Sequence, residues 1–228
     1  MTKSLRTRPH AIGKKLGMTH FFTQEGEAVP VTVIELSENI ITDIKTPERN
    51  RYAAIQLGAI TKKDKHMNKP SLGNLKKKNL PNLSLLREFK VKADELANYK
   101  VSEKLDTSKF LIPNELVDVS GISIGKGFQG MVKLHNKSRG FKSHGSKSFR
   151  GPGSIGGHTF PGRVFPGKKM PSRMGNEKVT ARNLKIIEFD KDKNIILIRG
   201  AVPGKEGTIV TLTPSIKRWN EETKAISQ

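Results

Sequence analysis

The chain has 228 residues, contains no cysteine, and carries 42 Lys and Arg against 21 Asp and Glu, a formal charge of +21. The missing thiols exclude disulfides and thiolate zinc sites, and the sequence contains no apolar run of the roughly 18 residues that a membrane-spanning helix needs. A charge so positive favours a polyanionic partner, with nucleic acid ahead of an anionic membrane surface.

The hydrophobic content of 34% and the aromatic content of 6% are low for a packed domain of this length. Part of the chain is therefore expected to lie outside any core. The basic start of the sequence is not followed by an apolar segment of the signal-peptide type. We expect a cytoplasmic protein that does not associate with membranes, and an organellar location stays open.

Alternating apolar residues and turn signals predict strands throughout the first half of the chain. Met18–Phe22 and Ala28–Leu36 flank the sequence Thr-Gln-Glu-Gly, which predicts a hairpin. The only helix predicted is Asp94–Lys100, with Asp94 as its cap, and the basic stretch Lys62–Lys78 is expected to be a surface loop. Further strands in this half are predicted at Ile40–Lys45, Tyr52–Ala59, Leu85–Val91 and Leu116–Val119.

The stretch Lys126–Lys178 has a different character. Its 53 residues include 12 Lys or Arg but one acid, Glu177, together with 11 Gly and four Pro. Its net charge of +11 is more than half of the charge of the whole chain. Without an apolar period, such a segment cannot bury enough surface to offset the entropy lost on ordering it. Because a loop this long in a compact domain is usually functional, we interpret it as an extension that projects from one domain.

Strands are predicted again after this stretch, at Lys185–Phe189, Ile195–Arg199 and Thr208–Leu212. Many short strands with glycine-rich turns predict a mainly β fold with minor α, closed or nearly closed into a barrel. The predicted organisation is one globular β domain interrupted by the extension, with a tail at each end. The bounds are 1–10 for the basic N-terminal tail, 11–125 and 179–217 for the domain, 126–178 for the extension and 218–228 for the C-terminal tail.

The composition of the extension suits contact with folded RNA. Phosphates neutralised by Lys or Arg release counterions, and glycines let the backbone approach a partner closely. Phenylalanines can stack on unpaired bases. An irregular strand offers neither the helix nor the ribbon that enters a duplex groove, so RNA is favoured over DNA. The candidate RNA contacts are Lys14, Lys15, Lys126, Lys133, Lys137, Arg139, Lys142, His144, Lys147, Arg150, Arg163, Lys168, Lys169 and Arg173.

Two glycine motifs carry little weight. Gly151–Gly156 satisfies G-x-G-x-x-G, but polar and basic residues precede it and Pro161 blocks an early helix. Gly121–Gly127 is one residue short of a P-loop and lacks a hydroxyl residue after Lys126. The histidines show no metal-ligand spacing, and acids are almost absent where Ser and His cluster. We expect no metal, cofactor, small-molecule substrate or catalytic residue, and therefore no enzyme.

Several longer motifs occur in one order between residues 12 and 212, and they resemble the ribosomal protein L3 family in its bacterial form. The similarity is specific because it rests on many motifs. They are Gly13–Phe22 (GKKLGMTHFF), Val29–Glu35 (VPVTVIE), Asn68–Gly73 (NKPSLG), Asp118–Gly130 (DVSGISIGKGFQG), Ser143–Gly145 (SHG), Gly153–Gly156 (GSIG), Pro161–Met170 (PGRVFPGKKM), Met174–Thr180 (MGNEKVT) and Arg199–Gly204 (RGAVPG).

The resemblance implies a translation-factor-like β-barrel with a smaller α+β element. It implies a structural role in the large ribosomal subunit, early in its assembly, with L14 and L19 as neighbouring proteins. The extension is expected to reach through 23S-type rRNA toward the peptidyl transferase centre. Its implied tip comprises Ser154, Ile155, Gly156, Gly157, His158, Thr159, Phe160 and Pro161.

Two positions depart from the family pattern. Leu134 stands where the family usually has an Arg, so one RNA contact is lost or is taken over by His135 or Lys137. Thr159 stands where bacterial relatives often carry a methylated glutamine, so that modification is not expected.

Two other functions stay open on the residues alone. One is a protein that compacts duplex DNA. A competition between folded rRNA and duplex DNA for binding to the protein distinguishes this function from binding of ribosomal RNA. The other is an enzyme that binds a nucleotide at Gly151–Gly156, which a nucleotide titration tests.

Overall fold

The structure, a computed structural model, describes residues 8–217. The predicted C-terminal tail and the first seven residues of the predicted N-terminal tail lie outside the described residues. The described residues form two compact units: one contains residues 8–122 and 179–217, and the other contains residues 123–178. We call the second the inserted unit; it begins three residues before the extension expected from the sequence.

Eleven strands and three short α-helices occur in the described residues. The strands are β1 (Ala11–Phe22), β2 (Ala28–Leu36), β3 (Ile40–Lys45), β4 (Ala54–Thr61), β5 (Leu83–Lys90), β6 (Leu116–Ile122), β7 (Gly127–Gln129), β8 (Ser172–Met174), β9 (Lys178–Asp190), β10 (Ile195–Arg199) and β11 (Ile209–Pro214). The α-helices are α1 (Pro47–Asn50), α2 (Lys69–Lys77) and α3 (Met131–Leu134). Single 3-10 turns cover Asp64–His66, Ala93–Asn98 and Thr107–Lys109.

Six strands close into a barrel in the order β1, β11, β6, β9, β10, β2, and we call the first unit the barrel unit. The hairpin between β1 and β2 is confirmed, with Phe22 opposite Ala28. Its turn is closed by the Gly26 amide, which donates to the Thr23 carbonyl at 3.0 Å. Gly26 has a φ of 83°, a left-handed conformation that glycine adopts without a steric penalty.

Neighbouring residues of β1 contribute to two different cores, because successive side chains of a strand point to opposite faces. Ala11 packs inside the barrel with residues such as Ile34 and Leu212. Ile12 packs on the other face against Leu57 and its neighbours in the three-stranded sheet β3–β4–β5. The strand therefore joins the barrel to the smaller sheet.

The expectation of a surface loop over Lys62–Lys78 is wrong, because this stretch contains helix α2. Pro70 occupies its first turn, where a missing amide costs nothing, and Leu75 packs with Ile40 and Leu83. A helix with one buried leucine among lysines shows little apolar periodicity, so its sequence looks like a loop.

An ion pair ties the end of α2 to the small sheet. The Lys78 ammonium lies 2.9 Å from the Asp43 carboxylate and donates to the Thr42 carbonyl at 3.1 Å. Burial pushes the pKa of Asp43 upward, but the hydrogen bonds from Lys45 and Lys78 outweigh it and hold that pKa below its usual value.

The predicted helix Asp94–Lys100 is instead a 3-10 segment, Ala93–Asn98, capped at Lys92, so the assignment of Asp94 as the cap is also wrong. Its bonds run over three residues, as from the Glu95 amide to the Lys92 carbonyl at 3.1 Å. Hydrogen bonds of this spacing define a 3-10 helix, whereas an α-helix bonds over four residues.

The mainly β class with few helices is confirmed. The predicted strands are present, but six of them have different bounds. Strand β1 begins at Ala11, β6 ends at Ile122, and β4 and β5 are shifted by one or two residues; β9 covers Lys178–Asp190 and β11 covers Ile209–Pro214. Strand ends are set by partners in the sheet, which a local pattern does not contain. The likeness to translation factors and the basic extension stay predictions.

Candidate nucleic-acid interface

The inserted unit has little regular structure. Strand β7 pairs with β8, with Phe128 opposite Arg173, and α3 follows β7 and buries Met131. Residues 135–171, all of them described, contain neither helix nor strand. The unit thus consists of a short stem of paired strands, helix α3 and an irregular loop of 37 residues.

Backbone hydrogen bonds build the stem. The Ser123 amide donates to the Glu177 carbonyl at 2.9 Å, and the Lys126 amide donates to the Met174 carbonyl at the same distance. Gly175 sits between these bonds with a φ of 75°. A Cβ at Gly175 would lie 2.2 Å from the carbonyl oxygen of Ile124, so this close approach requires glycine.

The cations of the inserted unit have no acidic partners among residues 8–217. Within the residues that the structure describes, no ion pair involves a Lys or Arg of this unit. Lys137 is half-buried, and the other candidate contacts here are exposed. These exposed residues are Lys126, Lys133, Arg139, Lys142, His144, Lys147, Arg150, Arg163, Lys168, Lys169 and Arg173. The unit therefore presents uncompensated positive charge.

The residues of the implied tip, 154–161, are exposed except for Pro161, which is half-buried. The Ser154 hydroxyl donates to the Gly156 carbonyl at 3.1 Å, and a ring nitrogen of His158 lies 3.0 Å from the Thr159 hydroxyl. These local contacts shape the segment without burying it, so its side chains are accessible to a partner.

Four phenylalanines of the inserted unit are open to solvent, and Phe165 is the least exposed of them at 57%. Phe128, Phe141 and Phe160 are 75%, 84% and 91% exposed. Such exposure of large apolar rings in one segment is typical of an interaction surface. Phe165 and the half-buried Phe149 also face cations of the same unit.

Lys14 and Lys15 belong to the barrel unit and have opposite environments. Lys14 is exposed and borders a cleft of about 550 Å³. Lys15 is 8% exposed, and its ammonium donates to the carbonyls of Val202 and Gly204 at 3.0 and 2.9 Å. Because its donors are engaged inside the protein, we leave Lys15 out of the proposed interface.

A further group of cations was not among the candidate contacts. These cations lie in and next to the 3-10 turn Asp64–His66 and in helix α2 of the barrel unit. One of them, Lys76, lies 3.9 Å from Asp64. The signal for this group in the sequence is the run of lysines within Lys62–Lys78. The exposed members are Lys62, Lys63, Lys65, Lys69, Lys76 and Lys77.

The glycine motif Gly151–Gly156 lacks the flanking strand and helix that a nucleotide-binding site needs. Residues 135–171 contain neither helix nor strand, so no strand directly precedes Gly151–Gly156 and no helix directly follows it. The described residues contain no group of three His, Asp or Glu that could hold a metal ion. No helix among them is long and apolar enough to cross a membrane.

Comparisons with known proteins match this chain to one family. The model of "Ribosomal protein L3" matches residues 76–194. The chain is 47% identical over 206 residues to the large ribosomal subunit protein uL3 of Finegoldia magna, covering 90% of this chain and 97% of that protein. It is 49% identical over 201 residues to protein uL3c of Gracilaria tenuistipitata, covering 88% and 97%.

A third relative shows the same coverage. The chain is 45% identical over 204 residues to protein uL3 of Thermosynechococcus vestitus, covering 90% of this chain and 95% of the relative. The similarity thus extends through the barrel unit and the inserted unit alike. Identity at this level over nearly the full length of each relative shows that the chain belongs to the ribosomal protein L3 family.

Proposed function

We propose that this protein is a structural constituent of the large ribosomal subunit that binds 23S-type rRNA mainly through its inserted unit. The observation that carries the proposal is the set of exposed cations in that unit, none of which has an acidic partner among the described residues. Membership of the L3 family, with relatives named as large-subunit proteins, supports the same reading.

Binding follows from electrostatics and shape together. Each Lys or Arg that neutralises a phosphate releases counterions into solution. The loop between β7 and β8 has no regular structure of its own to match a duplex groove. Its irregular backbone suits the crevices of a folded RNA, which would fix its conformation.

The protein's contribution is positioning, and peptide transfer belongs to the RNA. The tip, Ser154–Pro161, is proposed to approach the peptidyl transferase centre. Binding early in assembly would let the cations hold rRNA helices together before other proteins join, with L14 and L19 as the expected neighbours. We place the protein in the cytoplasmic ribosome. An organellar ribosome stays the alternative, and one relative, in Gracilaria tenuistipitata, is named uL3c.

One departure from the family pattern has a proposed substitute. Leu134 removes the Arg usual there, and His135 has a ring nitrogen 3.0 Å from the Met170 carbonyl. Lys137 has no ion pair in the described structure. We therefore assign the missing RNA contact to Lys137.

The test replaces Arg163, Lys168 and Lys169 together by Gln in cells that depend on this protein. We expect fewer large subunits in a sucrose gradient, while circular dichroism shows an unchanged thermal transition of the purified chain. The loss should arise because three phosphate contacts disappear and the barrel unit keeps its core.

The matched control carries the same change in charge on exposed lysines of the barrel unit, Lys100, Lys109 and Lys205. It should leave the subunit yield unchanged. A normal yield from the Arg163/Lys168/Lys169 variant, or an equal loss from both variants, contradicts the proposed role of the inserted unit.

A further inference from the structure

Phe149 differs from its neighbouring phenylalanines in the position of its ring. Phe141 and Phe160 are 84% and 91% exposed, whereas Phe149 is half-buried. The guanidinium carbon of Arg139 lies 5.7 Å from the centre of the Phe149 ring. The ammonium of Lys142 lies 5.3 Å from the same point. One ring therefore contacts two cations.

The backbone closes residues 140–149 into a loop that brings these side chains together. The Gly140 amide donates to the Phe149 carbonyl at 2.9 Å. A Cβ at Gly140 would lie 2.9 Å from a carbonyl oxygen of the opposite arm. At the far end His144 and Gly145 turn the chain with φ values of 56° and 69°. The contact is thus part of a closed loop.

The two cations repel each other, yet both lie 5.7 Å or less from the ring centre. The negative face of the ring attracts each of them, but no acid of the described structure is paired with either. An anion beside the pair would remove this repulsion. Side chains already held on a ring also lose less rotamer entropy when they bind.

We propose that residues 139–149 form a phosphate clamp in which Phe149 positions Arg139 and Lys142 for backbone phosphates of RNA. This inference rests on the proposed function and deepens it by naming one contact site within the inserted unit. Phe165 faces Arg163 alone, at 5.8 Å, so among the described residues the two-cation arrangement occurs at Phe149. Phe149 is a positioning residue that acts through its cations and does not stack on a base.

The experiment measures the affinity of the full chain for large-subunit rRNA by filter binding at one fixed salt concentration. Phe149→Leu keeps an apolar side chain but removes the ring, and we expect affinity to fall about two- to fivefold. Phe149→Tyr retains the ring face and should bind within about twofold of the unaltered chain. The control Phe22→Leu changes a ring of the barrel unit that is 70% exposed and lies outside the proposed interface, and it should leave affinity unchanged.

A double-mutant cycle separates positioning from stacking. In a chain that carries Arg139→Gln and Lys142→Gln, the further change Phe149→Leu should have no effect on affinity. If Phe149→Leu causes the same fold loss in that background, the ring contacts RNA directly and the clamp is overturned. Unchanged affinity of Phe149→Leu in the otherwise unaltered chain also overturns it.

The failure of the clamp is distinguishable from failure of the proposed function. An unaltered chain that prefers duplex DNA to folded rRNA at equal salt contradicts the proposed function. An unaltered chain that prefers rRNA, combined with additive effects in the cycle, contradicts only the clamp.

Discussion

Lys14 and Lys15 are adjacent lysines, but one side chain lies at the surface and the other lies in the interior. They are adjacent in β1, but Lys14 is exposed and Lys15 is buried, with its ammonium bonded to Val202 and Gly204. Successive side chains of a strand point to opposite faces, so Lys15 lies on the barrel-core face that it shares with Ala11, and Lys14 lies on the other face. Two identical residues in sequence give no indication of which one faces inward.

Lys15→Met should lower the free energy of unfolding by about 1–3 kcal/mol, because two buried carbonyls lose their donor. Chemical denaturation followed by circular dichroism measures this change. The neighbouring control Lys14→Met should stay within about 0.5 kcal/mol of the unaltered chain. Equal effects of the two substitutions would show that the ammonium of Lys15 does not support the barrel unit.

Short elements depend on contacts that their own sequence does not display. Helix α2 forms around one buried leucine, Leu75, and its end is held by Lys78 on Asp43. Strands β7 and β8 contain three residues each, and 42 residues separate them in the sequence. Neither element has a period long enough to be recognised, so tertiary partners determine both.

Gly175→Ala should open the stem of the inserted unit. The added Cβ meets the Ile124 carbonyl oxygen and the residue must keep a positive φ, so we expect a local cost of about 2 kcal/mol or more. Hydrogen exchange by NMR should show about 30-fold faster exchange of the Lys126 and Asn176 amides.

Gly130→Ala is the matched control for this change. Gly130 has a φ of −69° and nothing within 4 Å of an added Cβ. Exchange in this variant should match that of the unaltered chain. Full protection of the Lys126 amide in Gly175→Ala would mean that the stem tolerates a side chain at this position.

On the scale of the whole molecule, charge and core occupy different parts of the chain. The three apolar clusters consist of residues of the barrel unit. Lys126–Lys178 carries a net charge of +11 out of +21. The barrel unit can therefore fold on apolar burial, whereas we expect the loop of the inserted unit to need a polyanion to offset its ordering entropy.

The salt dependence of rRNA binding should show that the cations of the inserted unit make the phosphate contacts. Across a series of salt concentrations, the Arg163/Lys168/Lys169 variant should bind large-subunit rRNA with a log–log slope smaller by about 2–3, since each lost phosphate contact removes about 0.7–0.9. The Lys100/Lys109/Lys205 variant has the same net charge and should keep the slope of the unaltered chain. Equal slopes for the two variants would indicate binding by net charge alone.

The sequence by itself determined the mainly β class, the β1–β2 hairpin and the position of an acid-poor basic segment. These are properties of neighbouring residues, and alternation and charge can be read locally. Motifs in one order were also sufficient to indicate the L3 family, which the comparisons confirm.

Only the tertiary structure decided how distant residues meet. Arg8 donates to the Pro214 carbonyl across 206 positions of the chain, and β1 closes against β11. The burial of Lys15 likewise depends on the carbonyls of Val202 and Gly204, which lie outside its own strand. Local patterns do not contain these partners, because the free energy that selects them comes from packing and hydrogen bonds formed on folding.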